Sequence, residues 1–84
     1  MLRQIFGSRL QHPDPEVRRL AVEDLEPGDE RLDVLALEDA SDLVRRAAVE
    51  RLARPATLAE ILRRGADGAL REAALTRLGE VLSG

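Results

Sequence analysis

The chain of 84 residues contains no cysteine, lysine, tryptophan or tyrosine, and a single phenylalanine. Without thiols it can build neither a disulfide framework nor a thiolate metal site. One histidine, His12, leaves too little for an imidazole-based transition-metal centre. The scarcity of aromatic rings removes the stacking platforms on which bases of single-stranded nucleic acid are held. Long apolar runs are missing as well. The opening MLRQIFGSRL is too short in its apolar part for a signal-peptide core, and no stretch suits a bilayer span. A glycine-rich phosphate cradle is also absent, since Gly65-Ala66-Asp67-Gly68 has the length of an inter-helix turn. These absences set the expectation of a cytoplasmic protein with no cofactor, no metal and no membrane contact.

What is present points to helices. Apolar residues make up 44% and charged residues 35%, a balance typical of a soluble helical domain. A chain this size buries roughly 60–65% of its unfolded surface, enough for a modest core. All thirteen cationic side chains are arginine, as a GC-rich bacterial coding sequence would give. The formal net charge of −3 means that no basic field covers the whole molecule.

The sequence repeats itself. DPEVRRLAVEDL (14–25), SDLVRRAAVERL (41–52) and DGALREAALTRL (67–78) place Arg18, Arg45 and Arg71 at intervals of 27 and 26 residues. Ala21, Ala48 and Ala74 keep those offsets, as do Leu25, Leu52 and Leu78, and Val22, Val49 and Leu75. Ile5, Leu32 and Leu58 obey the same rule in the segments that precede. A period of this length marks a stack of supersecondary units. The expectation is therefore an all-α fold over residues 1–84, an α-solenoid of three antiparallel two-helix units (about 1–27, 28–54 and 55–84) wound as a right-handed superhelix.

Each unit reads as two helices. The first falls at roughly 2–10, 30–38 and 57–64 by apolar spacing, and the second is the quoted segment. Asp14 before Pro15 is an N-cap followed by proline at the first helical position. Ser41 and Asp67 occupy the same capping place, and Thr57 with Glu60 matches a capping box. Pro27-Gly28 and Gly65 read as stops, and Gly79 fits either a terminator or a helix interior. On a wheel at about 100° per residue, the apolar arc of the second helix spans roughly 200°. That is wider than one-sided packing requires, so each second helix should meet neighbours on two sides.

The repeated arginines sit inside this arc, in the first turn, where the helix dipole opposes a cation by about 0.3–1 kcal/mol. A ladder between units would compensate. In it, Arg18, Arg45 and Arg71 cover apolar surface with their stems and bond cap carboxylates or loop carbonyls of the next unit, with Asp14, Ser41 and Asp67 at the caps. Arg51 and Arg77, also inside the arc but in the final turn, are expected to reach water.

The pattern D-x-x-V-R-x-x-A-x-x-x-L, carried by Asp14, Val17, Arg18, Ala21 and Leu25 and by Asp67, Leu70, Arg71, Ala74 and Leu78, resembles HEAT-like repeats in the short form of phycobilisome lyase-type proteins. The middle unit departs from it at Ser41, with Asp39 and Asp42 as substitutes nearby. The opening also resembles the N-terminal segment of uncharacterised bacterial helical proteins. The resemblance implies a repeat scaffold and, because such scaffolds serve many roles, little about function.

No catalytic constellation emerges. His12, between Gln11 and Pro13, reads as a solvated turn residue; Ser8, Ser41 and Ser83 have no nearby base; Glu23, Asp24, Glu50 and Glu72 fall on polar faces. The resulting expectation is a non-enzymatic scaffold that binds another protein along the exposed ridge of the second helices: Arg19, Glu23, Arg46, Glu50, Glu72 and Thr76. Mixed charge there favours a protein over nucleic acid, because complementary charges orient docking. A structural repeat segment of a larger protein and an Arg-lined nucleic-acid contact are the alternatives.

Overall fold

Caps and stop signals divide the chain into five described helices. The structure, a computed structural model, describes residues 9–84. They form α1 (Pro15–Val22), α2 (Glu30–Glu38), α3 (Asp42–Arg51), α4 (Pro55–Arg63) and α5 (Gly68–Ser83), with no strand among them. Residues 9 and 10 are helical, whereas the rest of the expected first helix, with Ile5 and Phe6, lies outside the described residues.

Local chemistry accounts for most boundaries. The Asp14 side chain accepts from the Glu16 N–H at 2.9 Å, and Pro15 stands at the first helical position. Asp29 caps α2 in the same way through Arg31 N–H at 2.9 Å. Helix α4 ends in a Schellman arrangement, with Gly65 at φ +91, Gly65 N–H on Leu62 O and Ala66 N–H on Ile61 O. Glycine carries this left-handed backbone without a Cβ penalty. Two expectations need correction. Helix α4 starts at Pro55, so Thr57 lies inside it, and its hydroxyl donates to Asp33 Oδ1 at 2.6 Å instead of closing a capping box. Ser41 and Asp67 hold the N-cap positions of α3 and α5, but neither side chain makes a cap hydrogen bond. Gly79 is interior to α5, which runs on to Ser83.

Helix α3 sits at the centre. It packs on its hairpin partner α2 and on both α1 and α5; α4 packs on α5, and α2 touches α4. The core follows from this arrangement. Leu32, Leu58, Val22, Val44, Val49 and Leu52 are the largest fully buried side chains, each contributing about 1.5–3 kcal/mol by burial. Ala21, Ala48 and Ala74 are all buried, and a residue this small lets neighbouring helices approach closely. At the equivalent outer positions burial falls away: Leu78 is half-buried, and Leu75 is 45% exposed where Val22 and Val49 are closed off.

Candidate interaction surface

The helix register decides which polar groups meet between units. Arg18, in the first turn of α1, reaches the loop before α3. Its Nε and Nη2 donate to Asp39 Oδ2 at 3.0 Å and Oδ1 at 3.1 Å, and its Nη1 donates to His12 O at 2.6 Å. Asp39 Oδ1 also accepts from Ser41 N–H at 2.9 Å, so this carboxylate serves both the arginine and the start of α3. Both side chains of the pair are largely buried, 14% and 6% exposed. Two parallel bonds from a planar fork to a carboxylate are the strongest such geometry.

Arg45, one unit on, is placed differently from Arg18. Its Nη1 donates to Asp39 O at 2.8 Å, the carbonyl six residues back, as Arg18 does to His12 O. Its Nη2 pairs with Asp42 in its own helix. Its Nε is buried without a partner. Arg71 is exposed and, among the described residues, its side chain makes no hydrogen bond or ion pair. Among the described residues, Asp14 and Asp67 bond no arginine side chain. The first-turn column thus holds one rung between units, at Arg18.

A recurring rung lies elsewhere, on residues assigned to water from the sequence. Arg51 Nε and Nη2 donate to Leu25 O at 3.0 and 2.7 Å, and Arg77 Nε donates to Leu52 O at 2.7 Å. Leu25 and Leu52 are equivalent, so each of these arginines caps a carbonyl at or just beyond the C-terminal end of the preceding second helix, where carbonyls lack helical partners. The signal was in the sequence as Arg51 and Arg77 at an interval of 26. The unmet carbonyls at Leu25 and Leu52 appear only when neighbouring helices are brought together. A second polar link joins the first helices: Arg54 pairs with Asp33 and donates to Gly28 O at 2.9 Å.

The six ridge residues come together along α1, α3 and α5. Arg19, Glu23, Arg46 and Glu50 line a groove of about 610 Å³ between α1 and α3. Arg46, Glu50, Glu72 and Thr76 line an adjoining groove of about 620 Å³ between α3 and α5. The charges within them are largely paired. Arg19 donates to Glu16 at 3.0 Å and Glu23 at 3.2 Å, and Arg46 lies 4.0 Å from Glu50. Its bond to Glu16 raises the Arg19 pKa above its ordinary value. On α4, hydrogen bonds from Arg63 and then Arg64 hold the Glu60 carboxyl below its usual range.

Leu43, Ala47, Ala69 and Ala73 interrupt this charge with apolar floor. The arrangement can therefore orient an extended, mixed-polarity chain. Among the described residues, no three or more His, Asp and Glu side chains converge as a metal site would require, and no helix is long and apolar enough to cross a membrane. No family profile, curated protein or solved structure matches the chain.

Proposed function

We propose that the chain is a small right-handed α-solenoid of three HEAT-like two-helix repeats, acting as a non-enzymatic module that binds another protein along the ridge of its second helices. One observation carries this reading: two adjoining grooves share Arg46 and Glu50 and together hold all six ridge residues. Apolar floors flanked by paired charges suit a polypeptide. Contacts of this kind give register through charge and affinity through the buried apolar part. A phosphate track would need free cations in series, whereas Arg19 and Arg46 are both paired with glutamates.

The test is site-specific photo-crosslinking of the full chain in its native cell, with the probe at Glu50 and, as a control, at Glu30. The expected result is one protein adduct from Glu50 that survives moderate salt and disappears on charge reversal of Arg46. Equal adducts from Glu30, or salt-sensitive binding to DNA in its place, would overturn the reading. A structural role within a larger assembly is the second reading, and the bare face of α5 favours it: Arg71, Leu75 and Leu82 are exposed there, whereas Arg18, Val22 and Val49 at equivalent positions are covered.

A further inference from the structure

The three units place different residues six positions before each first-turn arginine: His12, Asp39 and Gly65. Geometry makes this position matter. Arg18 anchors Nη1 on the carbonyl six residues back and turns its Nε–Nη2 edge to the carboxylate of Asp39, which belongs to the following unit. Arg45 anchors Nη1 on its own unit's Asp39 O in the same manner. The residue that would meet its Nε–Nη2 edge from the following unit is Gly65, which has no side chain. The outcome is visible twice. Arg45 Nε is the sole buried side-chain nitrogen or oxygen among the described residues with no hydrogen-bond partner. A cleft of about 610 Å³ is lined by Arg45 and Gly65, and a Cβ built on Gly65 meets nothing within 4 Å.

An orphaned guanidinium nitrogen costs its desolvation without return, so Arg45 is a cation short of acceptors. The rest of the cleft describes what carries the acceptor. Leu37, Leu43, Ile61 and Leu70 supply apolar wall. Arg45, Arg46 and Arg64 outnumber the two carboxylates present, Asp42 and Asp67, although Arg64 is held by Glu60 and Glu38. The Asp42 partner of Arg45 is 82% exposed, so that pair is weak and readily exchanged. We infer that this cleft binds a carboxylate borne on a small aliphatic body, received by the partly exposed guanidinium of Arg45 in exchange for Asp42. The cleft shares Leu43, Arg46 and Ala69 with the ridge grooves, but its anchor Arg45 lines neither groove, so it stands if that reading fails.

Either a free short-chain acid or the C-terminal residue of a peptide presents this chemistry. The experiment titrates the intact chain with hexanoate, N-acetyl-leucine and N-acetyl-leucinamide, following the Arg45 side-chain 15Nε–1H resonance. Both acids, or one of them, should shift that resonance saturably, and the amide should not. A response to hexanoate identifies a free acid, and a response to N-acetyl-leucine alone identifies a peptide terminus. Arg45→Gln should weaken binding by about 10–100-fold, the worth of a charge-assisted hydrogen bond. Because Arg45 also bonds the loop before α3, the variant's fold is checked by its amide spectrum. Asp42→Asn, a nearly isosteric change in the cleft wall, removes a competing carboxylate, frees Nη2 and should tighten binding about threefold. No shift with either acid, an equal shift with the amide, or unchanged affinity in Asp42→Asn overturns the assignment.

Discussion

The junction between α1 and α3 and the junction between α3 and α5 come from the same sequence pattern and are finished differently. Both are closed at one end by an arginine on a carbonyl at or just beyond the end of the preceding second helix, Arg51 on Leu25 and Arg77 on Leu52. At the other end the first junction is locked by the Arg18–Asp39 pair, whereas the second has Gly65 in place of a carboxylate and leaves Arg45 Nε unmatched. The difference teaches that a repeat conserves its apolar contacts and its carbonyl staples more strictly than its ion pairs. Apolar burial is non-directional and tolerates small changes of residue, while a bidentate pair needs one residue type at one position.

The largest expected effect tests the contacts common to both junctions. Leu52→Ala removes a fully buried side chain from the central unit and should cost about 2–5 kcal/mol, whereas Leu78→Ala, half-buried at the equivalent place, should cost clearly less by denaturant unfolding. Equal losses would mean that the two junctions share burden evenly, against the burial pattern. Next comes Asp39→Ala, which makes the first junction resemble the second. It strands the largely buried Arg18 and the Ser41 N–H and should cost about 3 kcal/mol. Asp42→Asn, at the exposed pair of the second junction, should change stability by less than about 1 kcal/mol.

Arg51→Ala and Arg77→Ala should each lose about 1–2 kcal/mol, since losing the charged donor leaves the Leu25 or Leu52 carbonyl unmatched. Methionine at either position restores the aliphatic stem without the donor. If methionine recovered full stability, stem packing and not the hydrogen bond would explain the staple.

Another modest effect is a pH dependence. Hydrogen bonds from the Arg31 side chain and backbone lower the Asp29 pKa from 3.8 to about 2. A depressed carboxyl stabilises the fold above its unfolded value and loses that contribution as pH falls through the folded one. Asp29→Ala should therefore cost about 1 kcal/mol at neutral pH. The gap from the unaltered protein should close between about pH 4 and pH 2. A constant gap across that range would refute the link.

Much of this was legible in the chain. The alternation of stop signals and apolar periodicity gives helices at the observed places, with α2 at Glu30–Glu38 as expected and α4 two residues earlier than the spacing suggested. Proline fixes that start, because Pro55 at the first helical position has the required φ and no N–H to satisfy. Burial of Leu32, Leu58, Ala21, Ala48 and Ala74 also follows from the repeat. The ridge residues were found by subtraction, as what the wheel left over, and they do share two grooves. The arginines were harder. A wheel gives the direction of a side chain but not the acceptor at the end of a six-atom reach. Arg18, Arg45 and Arg71 therefore look equivalent in sequence although one is locked, one half-matched and one free.

By itself the sequence determined the helical period, the unit length and which small and aliphatic residues face inward, because those depend on neighbours a few positions away. Only the tertiary structure decided which arginine meets a carboxylate, which meets a carbonyl and which meets an open cleft. Those outcomes depend on residues about 20 to 26 positions apart, and on whether the facing loop carries a side chain at all. Hydrogen bonds are satisfied over distances of about 3 Å, so one glycine in a neighbouring turn is enough to change them.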